Sequence, residues 1–436
     1  MAMVVKNNMS AINTLNTMTK NNSALGKSIQ KLSSGMKING AADDVAGYAI
    51  SEKMRVQIRS LDQANQNAQN GTSLMKVAEG AVSSTVEILK TLKEKVINSA
   101  NDTNTTADRK MIQNELDQAI DQINDNASVT FNNKLLVDGS MNKKVDATKT
   151  TYVNESLSTD TTSTTNLTAL TDRNGNSLDI KTTDTVNISW VKNGKTETTS
   201  IKVAAGTNLG AILQKMDTAA TVGADSKIGV NGQSVQQYSA NGENVISFVA
   251  GTAGVTAGIS GFTISVSDVN GNVRKSINDK LNNWSESVRG ENDSNENSLN
   301  LQIGTKSNQS INVGISDMRA MALGLQGADD LTGTAKNIDV TTVKGANAAI
   351  NVVDNAIQRA LNEQTKLGAV QSRLSYTSDN LTTSSENVQA AESTIRDVDM
   401  AKEMTNFTKN NILLQASQSM LAQANQSTQG VLSLLQ

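Results

Sequence analysis

The chain has 436 residues and a formal charge of −3, is 37% apolar and 2% aromatic, and contains no histidine, cysteine or proline. That inventory excludes disulfide frameworks, thiolate metal sites and thiol nucleophiles, and removes the usual general base near neutral pH. No basic patch suits nucleic acid, and no apolar run approaches the roughly twenty residues of a membrane span.

The length allows about two to four domains, and the small side chains suit close helix packing and thin β-domains. Average usage would give roughly twenty prolines. Without them the chain has no slow cis/trans isomerisation and no helix breakers, which suits a protein that travels unfolded and refolds quickly. The segment Met1-Ala2-Met3-Val4-Val5-Lys6-Asn7-Asn8 lacks a basic n-region and an apolar h-region. No cleavable signal peptide or classical secretory route is expected.

In chain order, Ala2 to Ser34 reads as a first helix, with Val5, Met9, Ile12 and Leu15 on one stripe and Leu25, Ile29, Leu32 and Met36 resuming it. Gly35 and Gly40 break it. Asp43 and Asp44 stand before the next helix as capping carboxylates, a reading preferred to acid–base chemistry because no partner group is near. From Val45 to Asn98 runs the element that organises the chain. Met54, Ile58, Leu61, Ala68, Met75, Val82, Val86, Leu89 and Val96 make a heptad-like stripe, weakened where Asn65, Thr72, Glu79 and Lys93 take core-type positions. Such a helix is roughly 80 Å long and needs an equally long partner.

A shorter helix follows the polar connector from Asn101 to Thr106, with Ile112, Leu116, Ala119 and Ile123 on one face. Val129 to Gly139 predicts a short hairpin with Asn132-Asn133 at its tip. From about Ser140 period-two alternation replaces the helical beat: Val186, Ile188 and Trp190, the Asn193-Gly194 turn, then Ile201 and Val203. Val245–Val249 and Phe262–Val266 predict strands, Asn270-Gly271 a second hairpin signal, and Leu209, Ile212, Leu213 and Met216 a short helix. The Ser/Thr-rich surface of this insert is open to modification or simply to solvent.

Leu299–Ile303 and Ile311–Ile315 predict two strands around Lys306-Ser307-Asn308. From Ala346 the heptads return through Ile350, Val353, Ile357, Leu361, Leu367, Leu374, Leu381, Val388 and Ile395, continuing to Phe407, Ile412, Leu413, Met420, Val431, Leu434 and Leu435. Antiparallel pairing of the two ends would bring Ala2 and Gln436 together and carry the insert to the far end of a rod. The terminal stripes then order when copies stack, or fold back on their own core.

The expected fold is multidomain: long α-helical coiled-coil terminal regions with short β-hairpins, plus a mainly β (α+β) central inserted domain. The expected divisions are 1–44 with 399–436, 45–140 with 297–398, and 141–296.

Both ends, roughly 1–140 and 297–436, resemble the bacterial flagellins. The resemblance rests on Leu25 to Gly35, Ile38 to Gly47, Ser99 to Asn104, Leu367 to Arg373, Leu421 to Gln426 and Val431 to Leu435. It implies a structural subunit of the flagellar filament, exported unfolded through the flagellum's own apparatus with an export chaperone and polymerised beneath a filament cap, beyond hook-junction proteins. The terminal helices would form the inner tube, the flanking helices the next shell and the insert the outer surface, outside the cell. The tube residues would be Ile12, Leu15, Leu25, Ile29, Leu32, Ile412, Leu413, Met420, Leu421, Val431, Leu434 and Leu435.

Many flagellins carry an arginine and leucine patch read by a vertebrate innate-immune receptor. Here the region holds Lys90, Thr91, Lys93, Glu94 and Lys95, with Thr91 where the arginine is expected and Lys95 where the leucine is; Glu115 still matches. Weakened receptor recognition is expected. No enzyme, cofactor or metal is expected: the zinc peptidase of some flagellins needs His-Glu-x-x-His, and no phosphate loop or dinucleotide fingerprint is present. A hook–filament junction protein and a filament-displayed adhesin are the alternatives.

Overall fold

A computed structural model describes residues 8–217, 221–223, 227–230, 233–236, 245–255, 258–327 and 336–433, with the backbone alone for 221–236 and 427–433. Ala2, Val4, Val5, Leu434 and Leu435 lie outside the described residues, as does the side chain of Val431.

Helix α1 spans Met9–Ser34. Asn8 caps it by accepting from the Ala11 amide at 3.0 Å, and Gly35 ends it at φ 71°, a conformation that costs glycine little. Helix α2 spans Val45–Ser99. Asp44 caps it, accepting from the amides of Ala46 and Gly47 at 3.1 and 3.0 Å. Asp43 does not share that role; it accepts from the Asn39 amide at 3.1 Å and closes the preceding turn.

The buried seam of α2 is more regular than its large residues suggest. Leu61, Ala64, Ala68, Gly71, Met75, Ala78, Val82, Thr85, Leu89, Leu92, Val96 and Ser99 are buried in strict three–four alternation. Asn65, Thr72, Glu79 and Lys93, expected on the seam, are half-buried beside it. Ala64, Gly71, Ala78 and Leu92 fill those steps instead.

Helix α3 spans Thr106–Ala127 behind a capping box of Thr105 and Asp108, and buries Leu116, Ile120 and Ile123. The connector is gathered by Arg109, whose guanidinium donates to the carbonyls of Ser99 and Asn101, each at 3.0 Å. A cation there meets the negative end of α2. Strands β1 (Thr130–Phe131) and β2 (Lys134–Leu135) make the expected hairpin, with Asn132 and Asn133 at positive φ.

The insert contains β3 (Thr151–Asn154), β4 (Thr185–Lys192), β5 (Lys195–Lys202), α4 (Leu209–Leu213), β6 (Thr221–Gly223), β7 (Lys227–Val230), β8 (Gln233–Gln236), β9 (Ile246–Val249), β10 (Ile259–Ser267), α5 (Lys275–Leu281) and β11 (Trp284–Val288). Its antiparallel sheets run β10-β4-β5 and β11-β3-β9-β6, with β7-β8 as a separate pair. Their shared core gathers Tyr152, Ile188, Trp190, Phe248, Phe262 and Leu213. Phe262 is its centre, with ring centroids at 5.3 Å from Tyr152 and 5.4 Å from Trp284. The Asn193-Gly194 turn joins β4 to β5 as expected. Asn270-Gly271 makes no strand hairpin: it closes a tight turn bridging Ser267 and Val273 and leads into α5. Asn278 and Asn282 of α5 then satisfy the free edge of β10, accepting from the amides of Val266 and Ile264 at 2.7 and 2.6 Å.

Strands β12 (Leu299–Gln302) and β13 (Ser310–Val313) pair around Asn308, again at positive φ. After the short α6 (Ala320–Leu323), helix α7 covers Val343–Arg396 and α8 Met400–Ser433. The two helices part at Asp397-Val398-Asp399 without proline or glycine. The Val398 amide pairs with Gly35 O at 3.0 Å, and Asp399 caps α8 through the Ala401 amide. Leu361, expected on the α7 seam, is exposed; the seam runs through Ala356, Ala360 and Glu363 instead.

The described contacts form two units, residues 1–68, 302–309 and 376–436, and residues 69–301 and 310–375. Within the first, α1 lies antiparallel to α8, and α2 meets α7 through Asp62 with Ser385 at 3.0 Å and Asn65 with Thr382 at 3.2 Å. Within the second, α2 meets α7 through Glu79 with Gln371 at 2.7 Å and Lys93 with Asp354 at 2.6 Å.

That second unit also braces the insert on α7. Asn351, Asn355 and Arg359, four residues apart on one face, reach the Phe262 carbonyl at 2.6 Å, the Ser260 carbonyl at 3.0 Å and Glu286 Oε2 at 2.9 Å. Gly261 permits the approach, since a Cβ there would stand 2.8 Å from the Val352 backbone nitrogen.

Candidate assembly surface

The seam between α1 and α8 mixes polar with apolar side chains and buries few of either. On α1 the inward positions are Ala11, Thr14, Met18, Asn21, Leu25, Ser28 and Leu32; on α8 they are Glu403, Phe407, Asn410, Leu414, Ser417, Leu421 and Ala424. Among the described residues only Ser28 on α1 and Ser417 on α8 are buried. Hydrogen bonds draw the helices together: Asn8 donates to Ala424 O at 3.2 Å, Asn21 to Ser417 Oγ at 2.8 Å and Asn410 to Ser28 Oγ at 3.3 Å. Small hydroxyls at the centre let the backbones approach.

Other large apolar side chains point away from the seam. Ile12, Leu15, Ile29, Ile412, Leu413 and Met420 are between 41% and 61% exposed, and Met9, Met400 and Met404 add to the same surface. Leu25, Leu32 and Leu421 belong to the inward seam and are half-buried. The structure therefore divides the sequence-derived group in two, an intrachain seam and an outward stripe. Large apolar side chains outside the seam leave their area in water, which a lone helical pair gains nothing by doing.

Arg396 anchors this pair at the end of α7. It is buried, ion-pairs with Glu52 at 2.6 Å, stands 5.6 Å from the Tyr48 ring and accepts the Lys37 amide on its carbonyl at 2.7 Å. Its hydrogen bond holds the Glu52 carboxyl below the usual carboxylate range. Sequence reasoning passed over Arg396, Asn21, Ser28, Asn410 and Ser417. The one available signal was their place in the three–four repeat.

The candidate receptor region lies on the outward side of α2. Lys90, Thr91 and Glu94 are exposed and Lys93 and Lys95 half-buried. Lys95 ion-pairs with Glu115 of α3 at 2.7 Å, Lys90 with Glu87 at 2.7 Å and Lys93 with Asp354 at 2.6 Å, while the Thr91 hydroxyl donates to the Glu87 carbonyl. Elsewhere, burial raises the phenol of Tyr152, whose hydroxyl donates to Ile259 O. Among the described residues no three acidic side chains converge as a metal site, and no helix is long and apolar enough to cross a membrane.

The bacterial flagellin N-terminal helical region matches residues 5–142, and the C-terminal helical region matches residues 350–435. A flagellin of Clostridium tyrobutyricum is 36% identical, over 98% of this chain and 100% of that protein. A flagellin of Bacillus subtilis (strain 168) is 34% identical, over 99% and 100%. The flagellar filament 31.3 kDa core protein of Treponema maltophilum is 29% identical, over 100% of both. These relatives are flagellins and a filament core protein, which leaves the junction-protein and adhesin alternatives without support. Matched by both helical regions and by full-length relatives at 34% and 36% identity, the chain belongs to the bacterial flagellins, the structural subunits of the flagellar filament.

Proposed function

We propose that the outward stripe of α1 and α8 is the surface through which copies of this chain stack in the filament. The exposed apolar side chains of the pair carry this reading: Ser28 and Ser417 are its only buried side chains among the described residues, while Ile12, Ile412 and Met420 stand in solvent. Burying an apolar side chain of that size is worth about 1.5–3 kcal/mol, and each subunit offers several. Val431, Leu434 and Leu435 extend the stripe in sequence.

In this reading residues 1–44 and 399–436 form the inner tube, 45–140 and 297–398 the surrounding shell, and 141–296 the outer face. The chain reaches the filament tip through the flagellar export apparatus, guided by an export chaperone and without a cleaved signal, and joins the filament beneath a cap and beyond the junction proteins. Recognition by the innate-immune receptor is weakened because Lys95 occupies Glu115.

Seeded polymerisation tests the central claim. Purified chain is added to short filament fragments and followed by light scattering and electron microscopy, beside a form lacking residues 412–436. Long filaments from the full chain alone support the stripe as an intersubunit surface. Equal growth of both forms rules it out.

A further inference from the structure

Seven Asn-Gly pairs occur in the sequence, the dipeptide in which the following backbone nitrogen most easily reaches the asparagine side chain. Those at 231 and 241 lie outside the described residues. The other five occupy different surroundings. Gly71 is inside α2, where its amide belongs to the helical ladder. Gly175 and Gly271 each donate to an aspartate carbonyl, Asp172 O and Asp268 O, at 3.0 Å. Gly194 is buried at the β4–β5 turn, wedged against Gly327 and the Lys336 carbonyl.

Gly40 differs on every count. Its amide donates no hydrogen bond to a described residue, its φ is not positive, and a Cβ built there would meet nothing within 4 Å. The preceding Asn39 holds the α1–α2 connection by donating its side-chain amide to Met36 O at 3.3 Å and its backbone amide to Asp43 at 3.1 Å.

We propose that Asn39-Gly40 is an ageing site of this chain, where spontaneous deamidation releases the connection between α1 and α2. The Gly40 nitrogen attacks the Asn39 side-chain carbonyl carbon, and its proton leaves with the amide nitrogen as ammonia. The resulting five-membered imide is opened by one water molecule at either carbonyl, giving aspartate or isoaspartate. Either product replaces the donor facing Met36 O by a carboxylate and sets it beside Asp43. Isoaspartate also lengthens the backbone by one carbon, which moves the Lys37 amide away from Arg396 O. The hydrogen-bonded or wedged glycines react only after local opening, so the native fold ranks the five sites.

The test incubates the full chain at mildly alkaline pH, native and in denaturant, and maps tryptic peptides by mass spectrometry. The peptide from Ile38 to Lys53 contains Asn39 as its sole asparagine. In the native chain Asn39 should convert ahead of the other four and about tenfold faster than Asn70, whereas in denaturant the five should converge. Gly40→Ala should slow conversion about tenfold through the added Cβ while leaving the melting temperature in place, since that Cβ has room. Aged chain should show faster hydrogen exchange at Lys37 than fresh chain. Native conversion of Asn39 no faster than Asn70, or behind any of Asn174, Asn193 and Asn270, overturns the proposal.

Discussion

Arg396 and Glu52 meet at 2.6 Å where the end of α7 passes the start of α2, and the same arginine accepts the Lys37 amide on its backbone carbonyl. One side chain and one carbonyl thus fasten two long helices and the loop that follows α1.

Removing this contact should loosen the loop before it unfolds the helices. Arg396→Met keeps an apolar stem and deletes the charge, so hydrogen exchange at Lys37 and Val398 should accelerate while α3 keeps its protection. The pH dependence has a definite sign. Glu52 is held below its ordinary value by Arg396 first, and also by Arg55, 3.1 Å away. Its contribution is therefore complete above the unfolded carboxylate value and lost as pH falls through the lower folded one. Glu52→Gln should abolish that acid step in Lys37 exchange. An unchanged step in the variant would show that Glu52 is not its source.

The brace between the insert and α7 should be costly to break from one side only. Arg359 and Glu286 have side chains 10% and 11% exposed and are joined by two hydrogen bonds, with Arg359 also donating to Ala322 O at 3.1 Å. Arg359→Ala leaves a desolvated carboxylate without its cation and should lower stability by about 3–5 kcal/mol. The double change Arg359→Met with Glu286→Leu should lose much less, because no charge stays stranded. Chemical denaturation of the three proteins decides: equal losses for single and double variants would show that packing, not the ion pair, holds the brace.

The Lys95–Glu115 pair makes a prediction about immune recognition. Lys95→Leu frees Glu115 from its 2.7 Å partner, and Thr91→Arg supplies the missing guanidinium on the same exposed face. The double variant should signal at lower dose than the parent in a receptor reporter assay, with Glu115→Ala cancelling the gain. Full potency of the parent would remove the premise.

The helical frame was legible because apolar residues, all but Ala68 large, recur every seventh place at Leu61, Ala68, Met75, Val82, Leu89 and Val96. The alternate seam positions, Ala64, Gly71, Ala78 and Thr85, were not, since small side chains carry little hydropathy and gain their meaning from a neighbour's close approach. A Cβ on Gly71 would lie 2.8 Å from Leu301 and 3.4 Å from Leu374, a relation no single sequence position records. The break between α7 and α8 has no proline or glycine to mark it. Asp399 caps α8 there, and the pairing of Val398 with Gly35 holds the break. The Asn193-Gly194 and Asn132-Asn133 turns were read correctly because positive φ is a local property, whereas Asn270-Gly271 closes a tight turn and no hairpin. The asparagines of α5 and α7 that dress the β10 edge carry no hydropathy signal. On the terminal helices, hydropathy marked the large residues but could not say which faced the partner helix.

That distinction can be tested directly. Ile12→Asp and Ile412→Asp place a charge on the outward stripe, where both side chains are about half exposed in the single chain. The monomer should keep its melting temperature, because surface substitutions usually change stability by less than about 0.5 kcal/mol. Filament elongation from seeds should fail, since the charge would be buried unpaired between copies. Leu25→Asp and Leu421→Asp strike the inward seam instead. They should separate α1 from α8 in the monomer itself, seen as faster hydrogen exchange along both helices. A monomer with intact exchange protection but no elongation identifies an intersubunit residue; loss of both identifies a seam residue. If Ile12→Asp and Ile412→Asp elongate at the parent rate, the outward stripe is not the stacking surface, and the apolar contacts must come from residues beyond Ser433 or before Asn8.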